Sequence, residues 1–275
     1  MTGTRFTRRE VVRAAASIGG LAALAPLAPL SAQDSAAPLP NLTEFRRLIA
    51  ANRILARENV VDAFGHVSVR DPREPDRYVM SRSRSPELIE FEDLMEFRLD
   101  GTPVEARGRT PYGERMIHGA IYAARSDVNA VVHNHSYAVL PFTVAETRLR
   151  PVIHMASIIG AQIPVWDIRA AFGDTDMLVR TMDQGRSLAG TLGRNTCVLM
   201  RGHGAVVVGP GVKEVVMTSF YLQVNAQVQL QALGLGEITP LSSAEIVLSH
   251  ETQFSPLAID RAWEYFCQRA GVDPV

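Results

Sequence analysis

A chain of 275 residues, 47% hydrophobic and with a net charge of −1, is long enough to bury one sizeable core. That near-neutral balance lacks the basic footprint of a nucleic-acid binder and fits a soluble, globular, enzyme-sized protein. The basic charge is almost wholly arginine, with Lys213 the only lysine. Genomic base composition explains that bias as readily as any preference for bidentate carboxylate contacts.

Residues 1 to about 37 stand apart from the fold. Thr7-Arg8-Arg9-Glu10-Val11-Val12-Arg13 resembles a twin-arginine export signal, followed by an apolar stretch from Ala14 to Leu30 and a small-residue exit at Ser31-Ala32-Gln33. Gly19, Gly20, Pro26 and Pro29 interrupt that stretch, which argues against a retained membrane helix. Cleavage near Ala32 would start the mature chain around Gln33, in the periplasm and without a membrane attachment. The twin-arginine route moves folded proteins, so a metal could be loaded beforehand.

A single domain is expected over 38–275, ending in a helical tail. After a Pro/Ala linker from Ser35 to Pro40, Thr43 caps a helix whose core face carries Phe45, Leu48, Ile49, Ile54 and Leu55. Gly65 turns into an alternating strand with His66, Ser68 and Arg70 on one face and Val67 and Val69 on the other. Tyr78–Met80 is its hairpin partner, running into the Arg/Ser alternation of Ser81–Pro86, which fits a solvated edge. Glu90–Leu94 reads as a short helix, and Met95–Leu99 with Pro103–Glu105 as a hairpin around Asp100-Gly101.

A helix starts around Glu114, and Val131–Ser136 is an apolar strand ending in two histidines. Beyond it, Tyr137–Ala145 reads as a helix, Ile163–Val165 as a strand and Ala170–Thr175 as a loop, with Asp176–Thr181 and Asp183–Leu192 helical. Thr196–Met200 and Ala205–Val208 are strands around a glycine-flanked His203. A long helix from Val212 to about Leu233 carries the stripe Met217, Phe220, Tyr221, Val224 and Val228, which is core or a subunit contact. The tail from Ser242 to Ala270 is helical with a break at Pro256, and Cys197 and Cys267 sit at apolar positions that suit buried free thiols better than a bridge.

The chemistry gathers around three of these elements. Alternate residues of a strand share a face, so His133 and His135 can point at one spot. Glu114 and His118, at i and i+4, share a helical face. With His203, three imidazoles and a carboxylate can be drawn from these residues with one coordination position open, the pattern of a catalytic divalent site.

The order Glu114, His118, Asp127–Ser136 and Arg201-Gly202-His203-Gly204 resembles the class II aldolase/adducin family, over roughly residues 42 to 235. The resemblance implies an α/β fold, a three-layer α/β/α arrangement around a central mixed, largely antiparallel sheet. It implies His133, His135 and His203 as metal ligands, Glu114 as the acid/base group and His118 as a structural support. His154 is either a core histidine or a second acid/base group, since the corresponding segment of the family lies near the active site. Ser83 and Arg84 fall in the family's substrate loop and would grip an anion. His66 stands where the family's sugar aldolases carry asparagine, and is a substrate-binding candidate. One divalent metal is implied: three imidazoles suit zinc, and manganese, cobalt or iron are compatible. A ring-like homotetramer with sites at subunit boundaries is also implied.

Two departures bear on the substrate. Phosphosugar aldolases of the family carry small hydroxyl residues just before the acid/base glutamate, where this chain has Pro111-Tyr112-Gly113, and that argues against a phosphorylated substrate. The segments Gly65–Arg70 and Met80–Glu87 resemble the branch that decarboxylates hydroxylated aromatic carboxylates or ring-cleavage semialdehydes. The expected function is therefore metal-dependent carbon–carbon lysis, decarboxylating a small-molecule carboxylate through a metal-stabilised enolate. Retro-aldol cleavage of a non-phosphorylated hydroxy-carbonyl compound is the rival. A non-catalytic, adducin-like module is a third reading, against which stand the retained ligands and Glu114.

Overall fold

The computed structural model describes residues 40–275, so the leader expected in 1–37 lies outside the described residues. Seven strands form one sheet: β1 (His66–Arg70), β2 (Arg77–Ser81), β3 (Leu94–Arg98), β4 (Ala130–Asn134), β5 (Val165–Trp166), β6 (Cys197–Met200) and β7 (Gly204–Gly209), in the order β3-β2-β1-β4-β7-β6-β5. Every pairing is antiparallel except β5 with β6. The central strands are valine-rich and buried on both faces, as a sheet covered on both sides requires.

One face carries Val67, Val69, Val132, Leu199 and Val207 and packs under α1 (Pro40–Arg57), α6 (Val212–Leu233) and α8 (Pro256–Ala270). The other carries Tyr78, Phe97, Val131, Val198 and Val206 under α2 (Arg115–Ala124) and α5 (Met182–Leu192). This is the expected three-layer arrangement. The remaining helices are α3 (Pro141–Val144), α4 (Ile168–Phe172) and α7 (Ser243–Gln253). None of the described helices is long and apolar enough to cross a membrane. Cys197 and Cys267 are free and buried.

Several boundaries differ from expectation. Helix α1 begins at Pro40 rather than at a Thr43 cap. The helix expected over Tyr137–Ala145 contracts to Pro141–Val144, because Pro141 has no N–H with which to extend a ladder back to Tyr137. Ala170–Thr175 is not wholly loop: Asp167 caps α4 by accepting from Arg169 N, and the helix runs to Phe172.

Helix α6 turns amides as well as apolar groups inward. Asn225 and Gln229 accept from the backbone N–H groups of Val152 and Arg150, at 2.8 and 2.9 Å, and donate to the carbonyls of Arg150 and Arg148, both at 2.8 Å. These two side chains serve the extended segment 148–152 as a neighbouring strand would, satisfying backbone groups that burial would otherwise leave costly.

Candidate metal centre

Strand β4 ends at Asn134, yet its alternation still brings the rings of His133 and His135 together, with their Nε2 atoms 3.0 Å apart. His203 comes from the turn between β6 and β7. Gly204, which follows it, lies so close to β4 that an added Cβ would stand 2.1 Å from the Asn134 carbonyl oxygen. Only a residue without a side chain lets β7 approach there, and that approach delivers His203. Its ring centroid lies 4.9 Å from that of His133 and 5.0 Å from that of His135.

Glu114 is the N-cap of α2 rather than a residue of its first turn, and its side chain turns inward instead of capping. Its Oε1 accepts from Val179 N at 2.9 Å, and its Oε2 lies 3.6 Å from the Nε2 atoms of both His133 and His203. One donor atom from each of Glu114, His133, His135 and His203 lies within 4.8 Å of all the others. Glu114 and His133 are buried, His135 and His203 half-buried.

The second nitrogens decide what this cluster can hold. His133 Nδ1 lies 3.1 Å from the Ala205 carbonyl, and His203 Nδ1 lies 3.0 Å from that of Met177. A nitrogen facing a carbonyl must carry the hydrogen, so a neutral ring leaves Nε2 as a bare lone pair. Two lone pairs and a carboxylate oxygen therefore converge on one small volume, an arrangement that only positive charge makes favourable. The donor set fits a divalent cation, with the carbonyl partners orienting the ligand rings.

The electrostatics agree. Burial, reinforced by the neighbouring imidazole of His133, pushes His135 down to about 3 and keeps it neutral. Burial opposes the charge of Glu114, but the adjacent His133 and His203 hold its carboxyl far below the usual carboxylate range. For His203, burial acts downward and Glu114 upward, and the balance is a raised proton affinity.

His118 is fully buried beneath the cluster, with Nε2 2.7 Å from His66 Nδ1 and Nδ1 2.6 Å from Ser68 Oγ. Both ring nitrogens are thus committed, and none remains for a metal. His66 pairs with His133 across β1 and β4, and its ring lies 4.6 Å from that of Tyr112. Ser83 and Arg84 are stitched to the segment leading to Glu114: Ser83 N donates to Thr110 O at 2.8 Å and the Tyr112 hydroxyl donates to the Arg84 carbonyl. The Arg84 guanidinium is not free, since it shares Asp93 with Arg82, both at 2.6 Å. Two guanidinium groups therefore share one carboxylate, which leaves one positive charge in excess among these three side chains.

His154 is the exception among the candidates. It is exposed and lines a groove with Met217, Phe220, Tyr221 and Phe266, rather than joining its own chain's cluster. Its segment is held by the α6 amides on the opposite face of the sheet from α2, which is why proximity in the chain does not become proximity in space.

Nothing in residue order or spacing signals the part played by 176–181. The expected helix there is absent: Met177 has φ +66°, its carbonyl accepts from His203 and Val179 N donates to Glu114. A backbone that holds two site residues cannot also close helical hydrogen bonds. Asp62 was also missed; it accepts from Phe64 N and from the Tyr137 hydroxyl, both at 2.9 Å, beside His135. The Asp-x-x-Gly turn before His66 was the available signal.

The family described as Class II Aldolase and Adducin N-terminal domain matches residues 46–230. The decarboxylase tropJ of Talaromyces stipitatus is 34% identical over 248 residues, covering 82% of this chain and 93% of that protein. The 3,4-dihydroxyphthalate decarboxylase of Terrabacter sp. is 27% identical over 201 residues, covering 70% and 82%. Among solved structures, the L-fuculose 1-phosphate aldolase of Glaciozyma antarctica superposes with a TM-score of 0.69 at 24% identity, covering 84% of this chain and 90% of that one. The chain belongs to the class II aldolase/adducin family.

Proposed function

We propose that this protein is a divalent-metal-dependent carbon–carbon lyase that decarboxylates a non-phosphorylated hydroxylated aromatic acid or semialdehyde acid. The observation that carries the reading is the convergence of the His133, His135 and His203 imidazoles with the Glu114 carboxylate. Similarity to proteins named as decarboxylases supports it, as does Pro111-Tyr112-Gly113 in place of small phosphate-binding hydroxyl residues before Glu114.

His133, His135 and His203 would hold the cation, which supplies Lewis-acid stabilisation of negative charge on a substrate oxygen. The rest falls to the protein. Glu114, ionised and anchored through Oε1 to Val179 N, can take a substrate hydroxyl proton on Oε2. Glu114 returns that proton to the ring carbon that bears the carboxylate, which turns the hydroxyl-bearing carbon into a carbonyl; carbon dioxide then leaves with cleavage of its C–C bond, and the bonding pair passes through the ring to the carbonyl oxygen, restoring the aromatic ring as a phenolate. His66 and the surplus charge at Arg82, Arg84 and Asp93 would hold the substrate's anionic end.

The test is release of carbon dioxide by metal-loaded protein from a panel of hydroxybenzoates and semialdehyde acids. An aldehyde product from a non-phosphorylated hydroxy-carbonyl compound, with no carbon dioxide from the panel, would assign retro-aldol cleavage instead. We also infer a homo-oligomer in which His154, remote from its own cluster, serves a neighbouring copy. A monomeric mass in solution at assay concentration would refute that. Periplasmic export with cleavage near Ala32 belongs to the same reading, and full-length protein confined to the cytoplasmic fraction would count against it.

A further inference from the structure

Behind the metal centre four buried side chains form one hydrogen-bonded file. Tyr122 Oη lies 2.8 Å from Ser68 Oγ, Ser68 Oγ 2.6 Å from His118 Nδ1, and His118 Nε2 2.7 Å from His66 Nδ1. His66 is the front of the file, its ring 5.1 Å from that of His133.

The hydrogens along this file can run in two orders, and its far end selects one. Among the described residues the histidines with a carboxylate oxygen within 4.0 Å of a ring nitrogen are His133 and His203, both at Glu114. His66 and His118, buried without such a partner, are neutral and carry one N–H each. Ser68 is the protein hydrogen-bond partner of the buried Tyr122 hydroxyl, so the phenol hydrogen goes to Ser68. In the reverse order Ser68 would donate to Tyr122 and strand the phenol hydrogen deep in the protein, whereas the first order places its spare hydrogen on His66 Nε2, which is not among the fully buried polar atoms without a partner. With Tyr122 donating, Ser68 donates to His118 Nδ1, and His118 Nε2–H donates to His66 Nδ1. The hydrogen of His66 must then sit on Nε2, the nitrogen that makes no protein hydrogen bond.

We propose that His66 presents this Nε2–H to an anionic oxygen of the substrate, with Tyr122, Ser68 and His118 as positioning residues that keep it in the donor tautomer. A ring free to change tautomer would offer a lone pair to the anion part of the time. One set from behind is a donor before the substrate arrives, without reorganisation. The identity of the substrate as a hydroxylated aromatic carboxylate rests on the lyase reading, but the tautomer does not.

Nitrogen NMR of histidine-labelled, zinc-loaded full chain separates protonated from unprotonated ring nitrogens. Wild-type His66 is expected to show Nδ1 bare and Nε2 protonated, and Tyr122→Phe, which removes the end hydrogen, to give a mixture of tautomers at unchanged zinc content. With salicylate as the probe, His66→Phe should weaken binding by roughly tenfold, whereas His66→Asn, which brings its own N–H donor, should restore most of it. A bare Nε2 in the wild type, a tautomer indifferent to Tyr122→Phe, or salicylate binding indifferent to His66→Phe would overturn the proposal. Because none of these readouts uses turnover, a chain with the expected tautomer and salicylate dependence that releases no carbon dioxide defeats the lyase reading alone. One that decarboxylates with His66 in the other tautomer defeats this proposal alone.

Discussion

His203→Ala is expected to strip the protein of its divalent metal, and His133→Ala to do the same. Four-ligand zinc sites in small peptides bind with about 10–16 kcal/mol, so one ligand is worth about 3 kcal/mol, or roughly a hundredfold in affinity. The loss should exceed the removal of a single contact, because each ring is oriented by a second bond, to Met177 O for His203 and to Ala205 O for His133. Metal content after gentle dialysis and competition with a chelator measure the effect. Wild-type stoichiometry in the His203 variant would remove the basis for the centre. A pH dependence accompanies it: the proton affinity of His203 is raised beside Glu114, so protons compete with the metal, and binding should weaken as pH falls through that imidazole's titration.

Glu114→Gln is expected to leave the metal bound and to lower turnover by roughly 10²–10⁴-fold, the usual worth of a positioned proton-transfer group. Glutamine keeps an oxygen that can accept from Val179 N, so the start of α2 and segment 176–181 should hold their places. What disappears is the ionised oxygen lying between His133 and His203. Comparing metal content with kcat for the same preparation separates the two roles: metal lost in proportion to activity would make Glu114 a ligand first, and full activity would end its acid/base role.

The pieces of the site that lie on regular elements were legible, and those on irregular backbone were not. The period of two in β4 places His133 and His135 together, and the helix expected after Tyr112 is there, although Glu114 caps it rather than joining it. Segment 176–181 looked helical from its composition, yet its N–H and C=O groups go to Glu114 and His203. Tertiary partners of that strength override local propensity. The arginine of Ser83-Arg84 was visible as a charge, whereas its sharing of Asp93 with Arg82 was not, because a partner nine residues away depends on how the loop folds.

Sequence alone determined most of the strands and helices and the residue types of the cluster, since strand and helix periods are local properties written in side-chain order, while the layer architecture came from the family resemblance of its motifs. Only the tertiary structure decided that His203 reaches the other two rings, that His118 spends both nitrogens on His66 and Ser68, and that His154 turns away. Those outcomes depend on close approaches between distant segments, such as Gly204 against Asn134. Backbone contact of that kind follows from packing in three dimensions, and no spacing along the chain encodes it.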